Sequence, residues 1–376
     1  MSDWTKSRQI ATRLVVTGDL VLETPAHLGN GDRGAQVDLL LLRDTREGRP
    51  LLQGTSIAGA LRNYLRAYEL GFRTREERRR GNIDRANTAV ELLFGSVKGD
   101  PDGDQSPLIV DDSLAGITPS EIRDGVRIDA ATRTALPDFK YDLELLPPGT
   151  VFPLRFELLL PSDGGQEARL RAALALALGA LERGEIPLGA RKSRGYGRCR
   201  VTNWRIRTYR LRESRADLLA WLAADHPAWG YAPETSESPP MADALGAPLA
   251  VPDKRKAFVV EADFALAAPL LIRSEEPLSG GDNQPDVAHL RDGAGQPVIA
   301  GTSLAGALRA RAARILNTLS PGSAQERLDS LFGRDMHRRT GDPTASRLSV
   351  HEARIEAGAP LVQNRVSIDR FTGGAF

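Results

Sequence analysis

The sequence contains one nine-residue motif twice, and a repeat of this kind constrains the fold more than any other feature of the chain. Residues 54–62 read Gly-Thr-Ser-Ile-Ala-Gly-Ala-Leu-Arg, and residues 301–309 differ only by Leu in place of Ile. Matching landmarks flank both motifs in the same order, so we expect two copies of one structural unit. The landmarks pair Asp38 with Asp286, residues 93–95 (Leu-Phe-Gly) with 331–333, Ser106 with Ser346, and residues 128–129 (Ile-Asp) with 368–369.

The positions of the two copies predict two domains and a linker. The first domain spans residues 1–211 and the second 257–376, while residues 212–256 hold a short amphipathic helix and then a Pro- and Ser-rich stretch. With 376 residues and 41% hydrophobic residues, the chain is long enough for each domain to bury a core. The second copy has no counterpart of the last strand, helix and glycine-rich loop of the first. We therefore expect an incomplete domain, which is either a shortened piece of a longer chain or a natural split product whose missing part is supplied elsewhere.

Apolar periodicity predicts an α+β fold. Runs rich in β-branched and apolar residues open the copies at 13–22 and 257–266, and helical spacing follows each Gly-Thr-Ser motif, where Ser or Thr is a natural N-cap. A strand, an Ala- and Leu-rich helix and another strand follow between residues 154 and 207. The order β, α, β, β, α, β predicts two tandem ferredoxin-like sheets with helices on one face and long insertions.

Composition excludes several classes of protein. Lys and Arg number 50 against 49 Asp and Glu, so any basic surface must be local. The single cysteine excludes a disulfide framework or a Cys-rich zinc site, and the five histidines show no metal-ligand spacing. No apolar run approaches the ~20 residues of a membrane span, and the start is polar, so we expect a cytoplasmic protein without a membrane partner. No motif indicates an organic cofactor.

The Gly-Thr-Ser motifs have two interpretations. They are either the starts of helices whose small residues pack closely on a sheet, or sites where free N–H groups, hydroxyls and the helix dipole bind a phosphate, with an arginine two turns further on. The RNA-binding candidates are Gly54, Thr55, Ser56 and Arg62 in the first copy and Gly301, Thr302, Ser303 and Arg309 in the second.

A glycine-rich basic segment lies at residues 188–198. Glycines allow the backbone to approach a polyanion, basic side chains neutralise phosphates, and an aromatic ring can stack on a base. The alternative is a tight turn with solvated charges. The candidates are Arg191, Lys192, Arg194 and Arg198 for phosphates and Tyr196 for stacking.

Asp38 and Asp286 occupy equivalent positions after polar, Gly-rich segments. A lone Asp in a loop is usually a turn or cap residue, and the residues alone leave that interpretation open.

Taken in order, these motifs resemble the RAMP superfamily of CRISPR proteins, and within it the repeating backbone subunit of type III effectors in a tandem, fused arrangement. The resemblance implies a modified ferredoxin-like fold, similar to an RNA-recognition motif, that binds guide RNA. It also implies a thumb-like hairpin around residues 111–135 and 352–376. Asp38 and Asp286 would then cleave target RNA with Mg²⁺ or another divalent ion, beside other effector subunits or fused domains.

Two other functions stay open on the sequence. The chain could be a non-catalytic scaffold that only spaces the guide RNA, or it could process the guide precursor. Asp38 and Asp286 separate the first of these from target cleavage, because a scaffold does not need their carboxylates.

Overall fold

The computed structural model describes most of the chain as two compact units. One comprises Met1–Glu121 and Tyr141–Val260, the other Ile122–Lys140 and Glu261–Phe376. The described residues are all those outside 1–9, 32–33, 35–36, 73–87, 96–104, 130–131, 133, 163, 224–239, 275–284, 286, 293, 335–343, 364–367, 369, 373 and 375–376.

The first unit holds the long strands, whereas every described strand after residue 260 has two residues. The helices are α1 Gly54–Leu70, α2 Ala89–Phe94, α3 Gly164–Glu182, α4 Arg215–Ala223, α5 Met241–Leu245, α6 Gly301–Leu319 and α7 Ala324–Phe332. The strands are β1 Ile10–Leu22, β2 Leu51–Leu52, β3 Leu108–Val110, β4 Ser113–Leu114, β5 Glu121–Ile128, β6 Ala135–Leu145, β7 Val151–Pro161, β8 Cys199–Arg210, β9 Arg273–Ser274, β10 Ala288–His289, β11 Val298–Ile299 and β12 Ala353–Arg354.

A four-stranded antiparallel sheet forms the centre of the first unit, in the order β3-β7-β1-β8. β1 is a central strand, in which Leu20 pairs with Phe152 of β7 and with Val201 of β8. With α1 after β1 and α3 between β7 and β8, the chain order is the βαββαβ order of a ferredoxin-like sheet. The predicted α+β, ferredoxin-like class is confirmed.

The core of the first unit lies between this sheet and its helices. Alternate residues of β1 are buried, as the period of a strand requires, and α3 buries residues around most of its circumference. A helix that is apolar nearly all round needs cover on several sides. The sheet covers α3 on one side, and α1, α2 and α5 pack on others.

The internal repeat is confirmed in atomic detail. In the first copy the Ser106 hydroxyl donates to the backbone carbonyls of Leu93 and Leu108, both at 2.7 Å. In the second copy the Ser346 hydroxyl does the same with Leu331 and Leu348, at 3.3 and 2.7 Å. Equivalent residues therefore make equivalent bonds.

A second local structure also recurs, in the turn upstream of each Gly-Thr-Ser motif. The Asp44 N–H donates to the Arg49 carbonyl, and the Asp292 N–H to the Gln296 carbonyl, both at 2.8 Å. Side chains repeat as well, because Arg43 bonds the Gly48 carbonyl as Arg291 bonds the Gly295 carbonyl. The two copies thus keep the same bonds in this turn, although the turn is one residue shorter in the second copy.

The predicted Ser or Thr N-cap is wrong. α1 and α6 begin at the glycine itself, with Gln53 and Ala300 as N-caps that make no side-chain cap bond. In the first copy the Gly54 N–H donates to Asp112 Oδ1 at 2.7 Å. A Cβ at position 54 would also clash with the Val110 carbonyl oxygen. The helix therefore begins at the point where it meets the end of β3, which demands glycine.

The hairpin that the family resemblance implies at residues 111–135 lies further along the chain. Its two strands are β5 and β6.

The strand predicted at residues 257–266 is absent, since these residues are described but belong to no strand. Phe258, Val260 and Phe264 are 92%, 73% and 77% exposed. A strand needs neighbours, and the described part of the second copy contains no counterparts of the β7 and β8 that flank β1.

Matched truncations in the two copies test this difference. We expect Leu20→Ala to lower the free energy of unfolding of the first unit by about 2–5 kcal/mol, since Leu20 is fully buried. Phe264→Ala, at the equivalent place in the second copy, should change the free energy of unfolding of the second unit by less than about 0.5 kcal/mol. Urea unfolding followed by hydrogen exchange, in β1 for the first unit and in α6 for the second, measures both, and equal losses would contradict the described difference in burial.

Candidate functional site

A cavity of about 560 Å³ in the first unit brings two of the predicted motifs together. The start of α1 forms one wall and the glycine-rich segment another, with residues 27–31 between them. Among its lining side chains are His27, Gln53, Thr55, Ser56, Asn63 and Lys192. Motifs far apart in the sequence therefore share one site, and the cavity lies within the range of small-ligand pockets.

The Thr55 and Ser56 side chains are exposed in the first turn of α1 and line this cavity. Neither hydroxyl forms a hydrogen bond to a described residue, whereas the N–H of Gly54 already donates to the Asp112 carboxylate. The helix start therefore offers two hydroxyls to a ligand, and an acidic side chain occupies its first N–H.

Two glycines shape the opposite wall. Gly189 has φ +84°, and a Cβ there would clash with the His27 carbonyl oxygen. Gly197 has φ +73°, and a Cβ there would clash with the Leu188 carbonyl oxygen. Both backbone shapes favour glycine. The segment thereby folds back on residues 24–28 and donates the Ala190 N–H to the His27 carbonyl at 2.9 Å.

The basic side chains of this segment have different surroundings. Lys192 is exposed and lines the cavity. Arg191 instead lies over the Tyr141 ring at 4.4 Å and donates to its hydroxyl. Arg198 lies 3.7 Å from the Glu23 carboxylate, and Arg194 is half-buried. Among the described residues that line the cavity, Lys192 thus supplies the positive charge.

The prediction that Tyr196 stacks on a base is wrong. Its ring is only 6% exposed and packs with Leu143, Leu145 and Leu39 in a small apolar cluster. A ring enclosed in this way presents no free face, so it cannot stack on a base. The sequence offers no signal for this burial, because it does not show which residues would cover the ring.

The carboxyl-terminal end of β6 connects the parts of this site. Its Tyr141 holds Arg191, and the Asp142 N–H donates to the Asp38 carboxylate at 3.1 Å. The Glu144 N–H donates to the Leu39 carbonyl at 3.0 Å. Sequence reasoning missed this stretch, although its Tyr-Asp-Leu-Glu alternation is a usable signal for a strand with one polar face.

Glu144 fastens the segment that follows Asp38. Its carboxylate accepts the Leu41 N–H at 2.9 Å and an Arg43 guanidinium N–H at 2.7 Å, and its carbonyl oxygen lies 2.8 Å from His27 Nδ1. Burial alone would raise the pKa of Glu144, but the hydrogen bonds from Leu41 and Arg43 outweigh it, so the pKa is lowered. The buried carboxylate is thus held in its charged form.

The comparison with protein families agrees with this architecture. The family model of the RAMP superfamily matches residues 19–200 and 249–376. The chain belongs to the RAMP superfamily. The two matched regions contain the two copies of the repeat, and RAMP proteins bind RNA and other CRISPR subunits, so the chain is a CRISPR-associated RNA-binding subunit. The search of curated proteins gave no match. None of the helices in the described ranges is long and apolar enough to cross a membrane.

Asp38 of this RAMP chain is hydrogen-bonded to β6, which also holds Arg191 of the glycine-rich segment. It does not line the cavity. It is half-buried, and one carboxylate oxygen accepts the Asp142 N–H. Asp286 lies outside the described residues. The predicted role of these two aspartates therefore stays a prediction.

The family resemblance implies a divalent ion at Asp38, and Asp142 lies beside that residue. Asp142 Oδ1 is buried without a hydrogen-bond partner among the described residues, and the Asp142 backbone touches the Asp38 carboxylate. Mg²⁺ usually takes one or two carboxylates and completes its shell with phosphates and water. Groups of three or more metal-ligating side chains are absent from the described residues. Two aspartates joined by a backbone hydrogen bond thus lie here, and the divalent ion stays a prediction.

Arg62 and the RNA-binding candidates of the second copy do not line the cavity. Arg62 is half-buried. Arg309 donates to the Gly333 carbonyl at 3.1 Å and lies 3.6 Å from Asp329, so it ties α6 to the end of α7. At the start of α6, Gly301 is buried, Thr302 half-buried and Ser303 exposed.

Replacing Glu144 with Gln should loosen the Asp38 segment. The folded pKa of Glu144 is lowered, so its contribution to stability is complete above its ordinary pKa of 4.5 and is lost as the pH falls below that value. At pH 7 we expect Glu144→Gln to cost about 1–3 kcal/mol and to speed exchange of the Leu41 amide.

Urea unfolding and hydrogen exchange at pH 7 and pH 4 check this expectation. The wild type should lose stability between those values, and the Gln variant should lose less. Glu47→Gln is the matched control, because Glu47 is an exposed carboxylate whose bond to Arg49 lies on the surface. An unchanged Leu41 amide in Glu144→Gln would contradict the role given to Glu144.

Proposed function

We propose that the chain is a guide-RNA-binding backbone subunit of a type III CRISPR effector that cleaves complementary target RNA at sites set by its two copies. The RNA-binding part of this proposal rests on one observation. Thr55, Ser56 and Lys192 line the same cavity of the first unit. Family membership supplies the class of ligand, since RAMP proteins bind RNA.

The chemistry of the cavity suits the backbone of RNA. Two hydroxyls can donate to phosphate oxygens, and the Lys192 ammonium neutralises the phosphate charge. Phosphate contacts of this kind carry no sequence information, which is what a subunit needs if it must accept any guide sequence. Glycine backbone in the facing wall allows the sugar-phosphate chain to approach closely.

Asp38 and Asp286 are the proposed cleavage residues, supported by the family resemblance and by the setting of Asp38. In such a reaction the Asp carboxylate takes the proton of a ribose 2′-hydroxyl as the 2′-oxygen attacks the adjacent phosphorus. The new bond joins that oxygen to phosphorus and forms a 2′,3′-cyclic phosphate, while the bond to the 5′-oxygen of the next nucleotide breaks and that oxygen takes a proton from water. A divalent ion held by Asp38 and Asp142 would supply charge neutralisation at the phosphate.

A non-catalytic scaffold is the second candidate, and one observation favours it. The Asp38 carboxylate already accepts a backbone N–H from Asp142, which is an ordinary structural use of a loop aspartate. The cleaving subunit and the scaffold therefore differ in the role of the second carboxylate oxygen of Asp38. Variants of Asp38 can separate them.

The cavity's charge is tested by RNA binding. We expect Lys192→Ala to weaken binding of guide RNA about tenfold at low salt and to reduce the slope of log affinity against log salt by about one, because one phosphate contact is lost. Arg46→Ala is the control, since Arg46 is an exposed cation on the turn at residues 44–49, outside the cavity. Equal effects of both changes would contradict the binding site.

The cleavage residues are tested with end-labelled complementary RNA and Mg²⁺ in the assembled effector. Asp38→Asn keeps an oxygen that accepts the Asp142 N–H but removes the base, so we expect unchanged guide binding and a fall in one specific cleavage product of about 10²–10⁴. Asp286→Asn should remove a different product.

Products that persist in both Asn variants at wild-type rates would assign the aspartates a structural role. A loss in Asp38→Ala without a loss in Asp38→Asn would lead to the same conclusion, because only the bond to Asp142 distinguishes those two variants.

A further inference from the structure

His27 is a buried histidine that uses one of its two ring nitrogens in the fold. It is 6% exposed, and its Nδ1 lies 2.8 Å from the Glu144 carbonyl oxygen. A carbonyl oxygen only accepts hydrogen bonds, so Nδ1 carries the ring proton. In the neutral ring the other nitrogen, Nε2, is then an acceptor. Nε2 makes no hydrogen bond to a described residue.

His289 shows how a histidine serves the fold alone. The Ile272 N–H donates to its Nδ1 at 3.0 Å, and its Nε2 lies 3.0 Å from the Val298 carbonyl oxygen. Both ring nitrogens are therefore used by backbone groups. An acceptor that stays unpaired in a buried place costs free energy, so the Nε2 of His27 indicates a ligand that donates a hydrogen bond.

The fold places this Nε2 at the cavity. His27 and Gly29 both line the cavity, and a Cβ at Gly29 would clash with Nε2. Glycine at position 29 therefore leaves room for the part of the ring that carries Nε2. The backbone of His27 is fixed as well, because its carbonyl oxygen accepts the Ala190 N–H at 2.9 Å. The acceptor is thus held in one position.

The cavity combines this acceptor with groups that donate. The Lys192 ammonium only donates, and the Thr55 and Ser56 hydroxyls can donate, which suits phosphate oxygens. An ionised phosphate has no hydrogen to give to Nε2. In the sugar-phosphate backbone of RNA the donor is the ribose 2′-hydroxyl, which DNA lacks. Base N–H groups also donate, but they differ among the four bases and would make binding depend on sequence.

We propose that His27 Nε2 accepts a hydrogen bond from a ribose 2′-hydroxyl of the guide, so that the cavity selects RNA over DNA without reading the sequence. This inference rests on the proposed binding of the guide in the cavity. Thr55, Ser56 and Lys192 bind phosphate, which RNA and DNA share, and His27 supplies the contact that distinguishes them. His27 is a specificity-determining residue and takes no part in breaking a bond.

The second copy lacks this acceptor. Leu28 and Ile272 occupy equivalent places, because their carbonyl oxygens accept equivalent N–H groups, both at 2.7 Å. The residues that precede them, His27 and Leu271, therefore correspond. A leucine side chain accepts no hydrogen bond, so the selection of ribose belongs to the first copy.

The affinity of the full chain for two forms of one guide sequence tests the proposal. The forms are RNA and 2′-fluoro RNA, which keeps the phosphates but has no 2′-hydroxyl donor. We expect His27→Asn to reduce the preference for RNA about tenfold, because the Asn amide can still donate to the Glu144 carbonyl but has no acceptor at the place of Nε2. His27→Gln, whose longer side chain carries an amide oxygen, should restore the preference in part.

Gly29→Ala repeats the test without removing a polar group. Its Cβ displaces Nε2, so the preference for RNA should fall as it does in His27→Asn. Leu271→Ala, at the equivalent place in the second copy, is the matched control and should keep the wild-type preference. Thr55→Val should weaken the binding of both guides equally, because it removes a contact to phosphate.

Three results would overturn the proposal while the proposed function stands. One is Lys192-dependent binding of the guide in which wild type shows no preference for RNA over 2′-fluoro RNA. Another is equal weakening of both guides in His27→Asn, which would make His27 a structural residue. The third is a preference that Thr55→Val removes or that changes with the guide sequence. Binding that Lys192→Ala leaves unchanged would instead exclude the guide from this cavity and overturn both.

Discussion

The pairing of β1 with β7 on one edge and β8 on the other is the interaction on which the rest of the first unit depends. It fixes the four-stranded sheet, and it joins residues near the start of the chain to residues beyond 150. The segment that leaves β1 is thereby brought to the loop that enters β8, and their contact makes the cavity. In the second copy the equivalent segment, residues 257–266, forms no strand, and its apolar residues are exposed.

Beside this sheet, the carboxyl-terminal end of β6 positions the segments of the candidate site. Tyr141, Asp142 and Glu144 each hold a different segment, namely the glycine-rich loop, Asp38 and the stretch after Asp38. Buried polar contacts are costly unless satisfied, and here partners in other segments satisfy the Tyr141 hydroxyl and the Glu144 carboxylate. The site is therefore built by a strand that contributes few of the side chains proposed to touch RNA.

Much of this could be predicted from the sequence, because the repeat and the apolar periodicities are local patterns. These patterns predict the two copies, the ferredoxin-like order of strands and helices, and the motifs that line the cavity. They could not give the burial of Tyr196, which depends on Leu39, Leu143 and Leu145 folding over it. Nor could they show that residues 257–266 stay unpaired, because periodicity identifies a strand-like segment but not its neighbours. The helix start at Gly54 likewise depends on Val110 and Asp112, which lie far along the chain.

The central claim is that the cavity between α1 and the glycine-rich loop holds the guide backbone, and photo-crosslinking tests it most directly. A photoreactive residue at Asn63, which lines the cavity and is exposed, is compared with the same residue at Arg46 in the assembled effector. The account predicts crosslinks from position 63 to defined guide nucleotides whatever the guide sequence, and few from position 46. Crosslinks from position 46 alone, or none to the guide from position 63, would contradict it.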